Sequence, residues 1–250
     1  MFYGIPADRE KDFQHALAII ADIYKGQFYC KDMLITVARN LSFRHDQKFI
    51  SSFYSSVTNE QEKSLVWRLH TLAWAAKNAL NVEGDFVECG VFKGFCSSVI
   101  LKYLGFQDLA RQAYLYDTFR GLPEETSTEQ ERRDWDYTKY DPEAIYSGVC
   151  ERFAGYKNVN IVRGIVPDSF KDAVPEKIAF LHIDMNSEVA EMLALQHLFD
   201  KVTPGGMIIF DDFGWKSNVN QTRAELAFMT ERGHHIMELP TGQGVVIKYA

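Results

Sequence analysis

Phe86-Val87-Glu88-Cys89-Gly90-Val91-Phe92-Lys93-Gly94 is the stretch on which the fold turns: a short apolar run carrying one acid, closed by two glycines. The run reads as a strand over 86–89, and the residues at about 95–105 as the helix that follows. Gly90 and Gly94 let the backbone turn tightly and approach a ligand where a Cβ would obstruct it. The helix N-terminus beyond them offers unpaired N–H groups to an anion. The spacing is E-x-G-x-x-x-G, not the G-x-G-x-x-G of dinucleotide binders, and a plain structural turn explains it about equally well.

The surroundings of the turn narrow the choice. From residue 84 onward, strands are expected at 86–89, 113–116, 159–163, 178–183 and 206–210. Helices are expected at about 95–105, 142–153, 168–173, 187–201 and 217–231. Strands alternating with helices predict a parallel sheet with crossover connections. The end differs: apolar runs at 235–239 and 245–249 flank Pro240-Thr241-Gly242-Gln243-Gly244, which reads as a hairpin. The fold class expected is therefore α/β, a Rossmann-like class I methyltransferase sheet, mostly parallel with an antiparallel last strand. A nicotinamide-binding sheet would continue in parallel.

Residues 1–80 show helical periodicity and no strand signal, and are expected to be a helical extension of a methyltransferase domain over 81–250. Phe13, Leu17, Ile20 and Tyr24 fall on one stripe, and Met33, Val37 and Leu41 on another. Thr58 with Gln61 is expected to cap one long helix running to about Leu80, burying Leu65, Leu69, Leu72 and Ala76.

The formal charge is −7 with 27 basic and 34 acidic residues, and no basic cluster points to nucleic acid. Asp8, Arg9, Glu10, Lys11 and Asp12 rule out a signal-peptide apolar core at the start, and no run approaches the ~18 apolar residues of a membrane span. A cytoplasmic location is expected. Cys30, Cys89, Cys96 and Cys150 have neither zinc-ligand spacing nor the look of a disulfide framework.

The site residues follow from where the strands end. Glu88, Cys89, Gly90, Val91 and Gly94 form the first turn, and Asp117, Thr118 and Phe119 follow the second strand. An acid at Asp117 can accept ribose hydroxyls from either NAD or S-adenosylmethionine. Gly164 ends the third strand, where an adenine would pass. The fourth strand ends at Asp184 and the fifth at Asp211-Asp212, so neighbouring strands deliver three carboxylates to one edge. Such a cluster needs a cation, hydrogen bonds or raised pKa values, and oxygen ligands of this kind suit Mg²⁺. Asp184, Asp211 and Asp212 are the expected metal ligands, Asp184 and Asp211 the expected catalytic groups, and Asp184 also borders the cofactor. Asn186 can add a neutral oxygen.

The motifs in combination resemble the macrocin O-methyltransferase (TylF/MycF-like) family of S-adenosylmethionine- and Mg²⁺-dependent enzymes that methylate macrolide sugars. The matching stretches are Trp67-Arg68-Leu69-His70, Gly84-Asp85-Phe86-Val87-Glu88-Cys89-Gly90-Val91 and Tyr116-Asp117-Thr118-Phe119-Arg120-Gly121. Leu181-His182-Ile183-Asp184, Pro204-Gly205-Gly206, Asp211-Asp212-Phe213-Gly214 and the turn at 239–244 complete them. The resemblance covers roughly 50 to 250 and implies a helical N-terminal extension, S-adenosylmethionine at the first strands and a metal on the carboxylates matching Asp184, Asp211 and Asp212. It departs from the family's D-x-D at Asn186. The reaction it implies is in-line methyl transfer to a hydroxyl of a small molecule, a sugar or sugar-bearing natural product.

The stretch 120–141 is too long for an ordinary βα loop and, with Trp135, Tyr137 and Tyr140, is expected to be a lid or acceptor-binding insertion. Trp215 and Lys216 are expected to line the same pocket. His182 is expected to point into the fold, His70 to be a packed helix residue, and His234 and His235 to lie at the opposite edge. Neither nucleic acid nor membrane is expected as a partner, and homo-oligomerisation is left open. A nicotinamide-dependent oxidoreductase and a non-catalytic binding protein of the same fold are the competing readings.

Overall fold

The computed structural model describes residues 5–250. Helix α1 (Glu10–Tyr24) carries the expected apolar stripe, yet none of its residues is buried, and Ile23 is 65% exposed. The next segment corrects the expectation of helix throughout residues 1–80: β1 (Phe28–Lys31) pairs antiparallel with β2 (Leu34–Val37). The spacing of Met33, Val37 and Leu41 suits a helix, but Asp32 and Met33 take left-handed φ values of 51° and 58° and close a two-residue turn. Such turns are usually announced by Asn-Gly or Asp-Gly, so Asp-Met carries no local signal.

Helix α2 (Gln47–Tyr54) starts at Asp46, whose carboxylate accepts from the Phe49 N–H at 3.0 Å. The expected long helix is two: α3 (Glu60–Ser64) and α4 (Val66–Ala79), separated at Leu65. The cap also sits one residue later than the Thr58–Gln61 pair. Asn59 accepts from the Glu62 N–H at 2.9 Å, and the Glu62 carboxylate accepts from the Thr58 N–H at 2.6 Å. Leu69, Leu72 and Ala76 are fully buried as expected, and Leu65 partly.

The α/β unit then runs β3 (Asp85–Cys89), α5 (Phe95–Leu104), β4 (Ala113–Asp117), α6 (Glu129–Asp134), α7 (Pro142–Phe153), β5 (Val159–Arg163), β6 (Ile178–Ile183), α8 (Glu188–Leu198), β7 (Val202–Phe210), α9 (Val219–Glu231), β8 (Met237–Glu238) and β9 (Gly244–Ile247). The sheet order is β5-β4-β3-β6-β7-β9-β8, parallel from β5 to β7, with β9 antiparallel to both its neighbours. The expected sheet and its terminal hairpin are both present. β6 is buried at every residue, as a central parallel strand covered on both faces must be.

Three boundaries moved. The helix expected over 168–173 is a 3₁₀ turn, Asp168–Lys171. β7 begins before Pro204-Gly205-Gly206, which looks like a turn but is carried by a register shift opposite Ile178 and Phe180. β8 keeps two residues because it pairs on one side only, with β9.

The core crosses residue 80 without a break. On one face of the sheet Phe53, Leu69, Leu72 and Ala76 share a cluster with Val99, Leu115, Phe180 and Ile209. On the other, Leu195, Leu198 and Met229 cover Val87, Leu181 and Ile208. Leu72→Ala is therefore expected to cost about 2–5 kcal/mol in urea unfolding, within a single transition shared by α4 and the sheet. A separate, early transition of residues 1–80 would contradict this.

Candidate active site

The glycine turn is built by two close approaches. Gly90 has φ 92°, and a Cβ there would collide with the Asp184 carbonyl oxygen, because β3 and β6 continue together past their ends. The Asp184 N–H donates to the Cys89 carbonyl at 2.8 Å, and the Gly90 N–H to that of Tyr116 at 2.9 Å. Gly94 (φ 73°) starts α5 with its Cβ space taken by Phe153 and Arg152. Asp117 holds the turn in shape: it accepts from the N–H groups of Val91 and Phe92, both at 2.7 Å, and of Phe119 at 2.6 Å. Burial raises the Asp117 pKa, against those three bonds.

A buried charge cluster lies beside the turn on the same edge. Arg68, on α4, is almost fully buried and donates from Nη1 to Asp211 and, at 3.3 Å, to Asp212. Its Nη2 reaches the Thr241 carbonyl at 3.4 Å, and its guanidinium lies 5.6 Å from the Trp215 ring centroid. Gln243, from the turn before β9, donates to Asp211 at 2.9 Å. His182 is fully buried between Glu88, 3.0 Å from Nδ1, and Asp211, 3.4 Å from Nε2. Glu88 also accepts from the Ser97 hydroxyl.

These placements set the charges apart. Burial acts to raise the pKa of Asp211, but Arg68 and His182 overcome it and hold the carboxylate well below its usual range. Burial and the charge of Asp211 prevail over Arg68 at Asp212, pushing it up to about 6. Asp184 rises through burial and the charges of Asp211 and Asp212. Burial alone would lower His182; the close carboxylates of Asp211 and Glu88 outweigh that and push it up to about 10. Behind the cluster Glu191 accepts from the Met185 N–H at 2.9 Å, and burial beside Glu225 raises its pKa.

The turn and the cluster face one cavity of about 850 Å³, ample for a cofactor and a small acceptor. Of the expected site residues, Glu88, Gly90, Val91, Asp117, Thr118, Phe119, Gly164, Asp184, Asp211 and Asp212 line it; Cys89 and Gly94 do not. Arg120–Pro123, Trp135, Tyr137 and Tyr140 form its other wall, so the long insertion does stand over the site. Its helix α6 is docked by Glu131, which accepts from the Glu188 N–H at 2.9 Å. Trp215 lines the cavity, but Lys216 does not.

His70 stacks on Phe43 at 4.8 Å, and His234 is buried against Arg232 and Tyr249 away from the cavity. Arg68 was legible only as part of a motif; its signal is a charge among the buried apolar residues at the start of Val66–Ala79. Asp32, which accepts from the Arg68 backbone N–H at 3.2 Å, gave no signal, and Gln243 was legible only within the turn at 239–244.

A parallel sheet extended by an antiparallel hairpin, with a glycine turn and acids at its strand ends, defines the Rossmann-like fold of class I O-methyltransferases. Residues 66–236 match the macrocin O-methyltransferase (TylF) family, and the chain belongs to it. It is 30% identical over 160 residues to mycinamicin III 3''-O-methyltransferase of Micromonospora griseorubida, covering 58% of this chain and 62% of that protein. It is 27% identical over 159 residues to 8-demethyl-8-(2,3-dimethoxy-alpha-L-rhamnosyl)-tetracenomycin-C 4'-O-methyltransferase of Streptomyces olivaceus, covering 58% and 60%. The match thus spans about six tenths of the length of these curated relatives. Among solved structures, the O-methyltransferase NovP superposes with a TM-score of 0.62 at 20% identity, covering 74% of this chain and 81% of that one. CalS11, a calicheamicin methyltransferase, gives 0.63 at 13% identity, covering 98% and 94%. At these identities the structural likeness shows the fold alone. Among the described residues no helix is long and apolar enough to cross a membrane.

Two measurements test the site's construction. Gly90→Ala is expected to cost at least about 3 kcal/mol, since it adds left-handed strain to a backbone collision; an unchanged melting temperature would refute the close approach. His182, raised to about 10 in the folded chain from 6.5, adds stability that is complete below pH 6.5 and lost as pH rises through about 10. Melting temperatures between pH 7 and 10 are expected to fall for the wild type and to fall less for His182→Gln.

Proposed function

We propose that the chain is an S-adenosylmethionine-dependent O-methyltransferase acting on a hydroxyl of a small molecule, a sugar or a sugar-bearing natural product. The observation that carries this is the contact of Gly90 with Asp184, which sets the cofactor turn and the carboxylate cluster edge to edge in one cavity. The family membership and the relatives' action on sugar-bearing products support it. Residues 1–80 are read as an extension that completes the site of a methyltransferase unit over 81–250. The four free cysteines accord with a cytoplasmic location.

The methionine end of the cofactor would sit on the Gly90 turn, its ribose beside Asp117–Phe119 and its adenine by Gly164. The acceptor oxygen attacks the sulfonium methyl in line, a C–O bond forms, the C–S bond breaks and S-adenosylhomocysteine leaves. Asp184, which lines the cavity, would take the hydroxyl proton in this reading. Asn186, where an acid would be the family's usual choice, can only orient. The insertion over 120–141 shields the reaction from water.

The donor set fits Mg²⁺. Asp184 and Asp211 offer carboxylate oxygens within 4.8 Å of one another, while His182 beside them is held between Glu88 and Asp211 as an imidazolium and offers no lone pair. The Asn186 Oδ1, on the residue whose amide reaches Asp184, is buried with no hydrogen-bond partner. Asp184, Asp211 and Asp212 would hold the ion, with Asp211 shared with Arg68. Bound there, Mg²⁺ would supply the Lewis acidity that lowers the acceptor hydroxyl's pKa.

Isothermal titration is expected to show binding of S-adenosylmethionine and none of NAD. Asp184→Ala is expected to reduce methyl transfer on the order of 10²–10³-fold while keeping cofactor binding. Full turnover in excess chelator would remove the metal from this reading; binding of NAD in place of S-adenosylmethionine would overturn the reading itself.

A further inference from the structure

The N-terminal hairpin lies outside the segment that matches the family, yet its turn enters the carboxylate site. Asp32 sits at that turn, 2% exposed, with a left-handed φ of 51°. Its Oδ2 accepts from the Arg68 backbone N–H at 3.2 Å and lies 3.7 Å from the Arg68 Nε. Helix α4 has no side-chain cap of its own, so Asp32 supplies from another element the acceptor that a capping residue would. Arg68 is thus gripped from two sides. Asp32 accepts from the backbone N–H and lies within ion-pair range of Nε, which makes no hydrogen bond, while Asp211 and Asp212 hold Nη1.

We infer that Asp32 is a positioning residue: it fixes the Arg68 guanidinium against Asp211 and Asp212 and so makes the N-terminal hairpin part of the catalytic site. Several features converge on this. Two successive non-glycine residues, Asp32 and Met33, hold left-handed backbone at the turn, a cost that local sequence does not offset. The Asp32 carboxylate is buried beside the one guanidinium of the cluster, and burial prevails over Arg68 in raising its pKa to about 6. The Arg68 guanidinium competes with any cation for Asp211. A counter-charge near the Nε edge holds the guanidinium on Asp211 and Asp212, while Asp184 stays on the cavity lining.

The inference rests on the metal reading in one arm of its test only. Arg68 Nε–H is observed by ¹⁵N NMR and assigned by its loss in Arg68→Lys. A slowly exchanging Arg68 signal is expected in the wild type and its loss in Asp32→Asn, which keeps the capping oxygen and removes the charge. Mn²⁺ affinity, followed by the signal of free Mn²⁺ in electron paramagnetic resonance, is expected to weaken about 10- to 100-fold in Asp32→Asn. In an Arg68→Lys background the same change at Asp32 is expected to add little, because its route of action is gone. Asp32→Glu, which keeps the charge, is expected to keep the Arg68 signal and serves if Asp32→Asn does not fold. An Arg68 signal unaltered in Asp32→Asn overturns the inference. A wild type that binds no Mn²⁺ overturns the metal reading instead, with the Arg68 signal still deciding the role of Asp32.

Discussion

A guanidinium buried under the edge of the sheet is the constraint around which the site is assembled. Arg68 leaves water almost completely, and a charge so placed is tolerable only if it is paired and hydrogen-bonded. Its partners come from separate parts of the chain: Asp32 from the first hairpin, Asp211 and Asp212 from the end of β7, and Thr241 from the turn before β9. Removing one partner of such a pair costs about 3–5 kcal/mol, because the other charge is left buried alone. The α4 helix, both antiparallel hairpins and the central strands are thereby held in one relative arrangement.

From Arg68 the charge alternates inward. Asp211 is shared with His182, His182 with Glu88, and Glu88 with Ser97 at the start of α5. This series runs beneath the cavity from the carboxylate cluster to the glycine turn. It gives His182 a role that a histidine on an apolar strand does not advertise: an imidazolium that lets two carboxylates exist side by side in the core. With Asp211 kept ionised by its neighbours, Asp184 carries the remaining strain of like charge, on the side that meets the cavity. The cluster is thus polarised, with its stabilised acid inward and its destabilised acid outward.

The insertion over 120–141 completes the enclosure by a different kind of bond. Phe92 at the glycine turn meets Tyr137 and Tyr140 edge-on at 5.5 and 5.1 Å, and Lys93 lies 4.5 Å from the Tyr140 ring centroid. These contacts are aromatic and cation–π, and they add to the polar bonds from Ser187 to the Thr126 carbonyl and from the Glu188 N–H to Glu131. The floor of the cavity is therefore rigid and charged, while its cover is aromatic.

Residues close in sequence were enough to determine the sheet. The apolar runs of β3 to β7, the helices between them and the hairpin after Pro240 are local patterns, and the strand ends place Gly90, Asp117, Asp184, Asp211 and Asp212 along one edge by topology alone. The β1–β2 hairpin was not legible, since Asp32-Met33 is no turn signal and is held by a contact 36 residues away. Nor was the break at Leu65, where a continuous helical pattern divides. Within the site, the sequence supplied a set of acids but not their charges. Which carboxylate is stabilised and which destabilised depends on where Arg68 and His182 lie. That was decided only by tertiary structure, because a buried charge is governed by its neighbours in space within a few ångströms, whatever their distance along the chain.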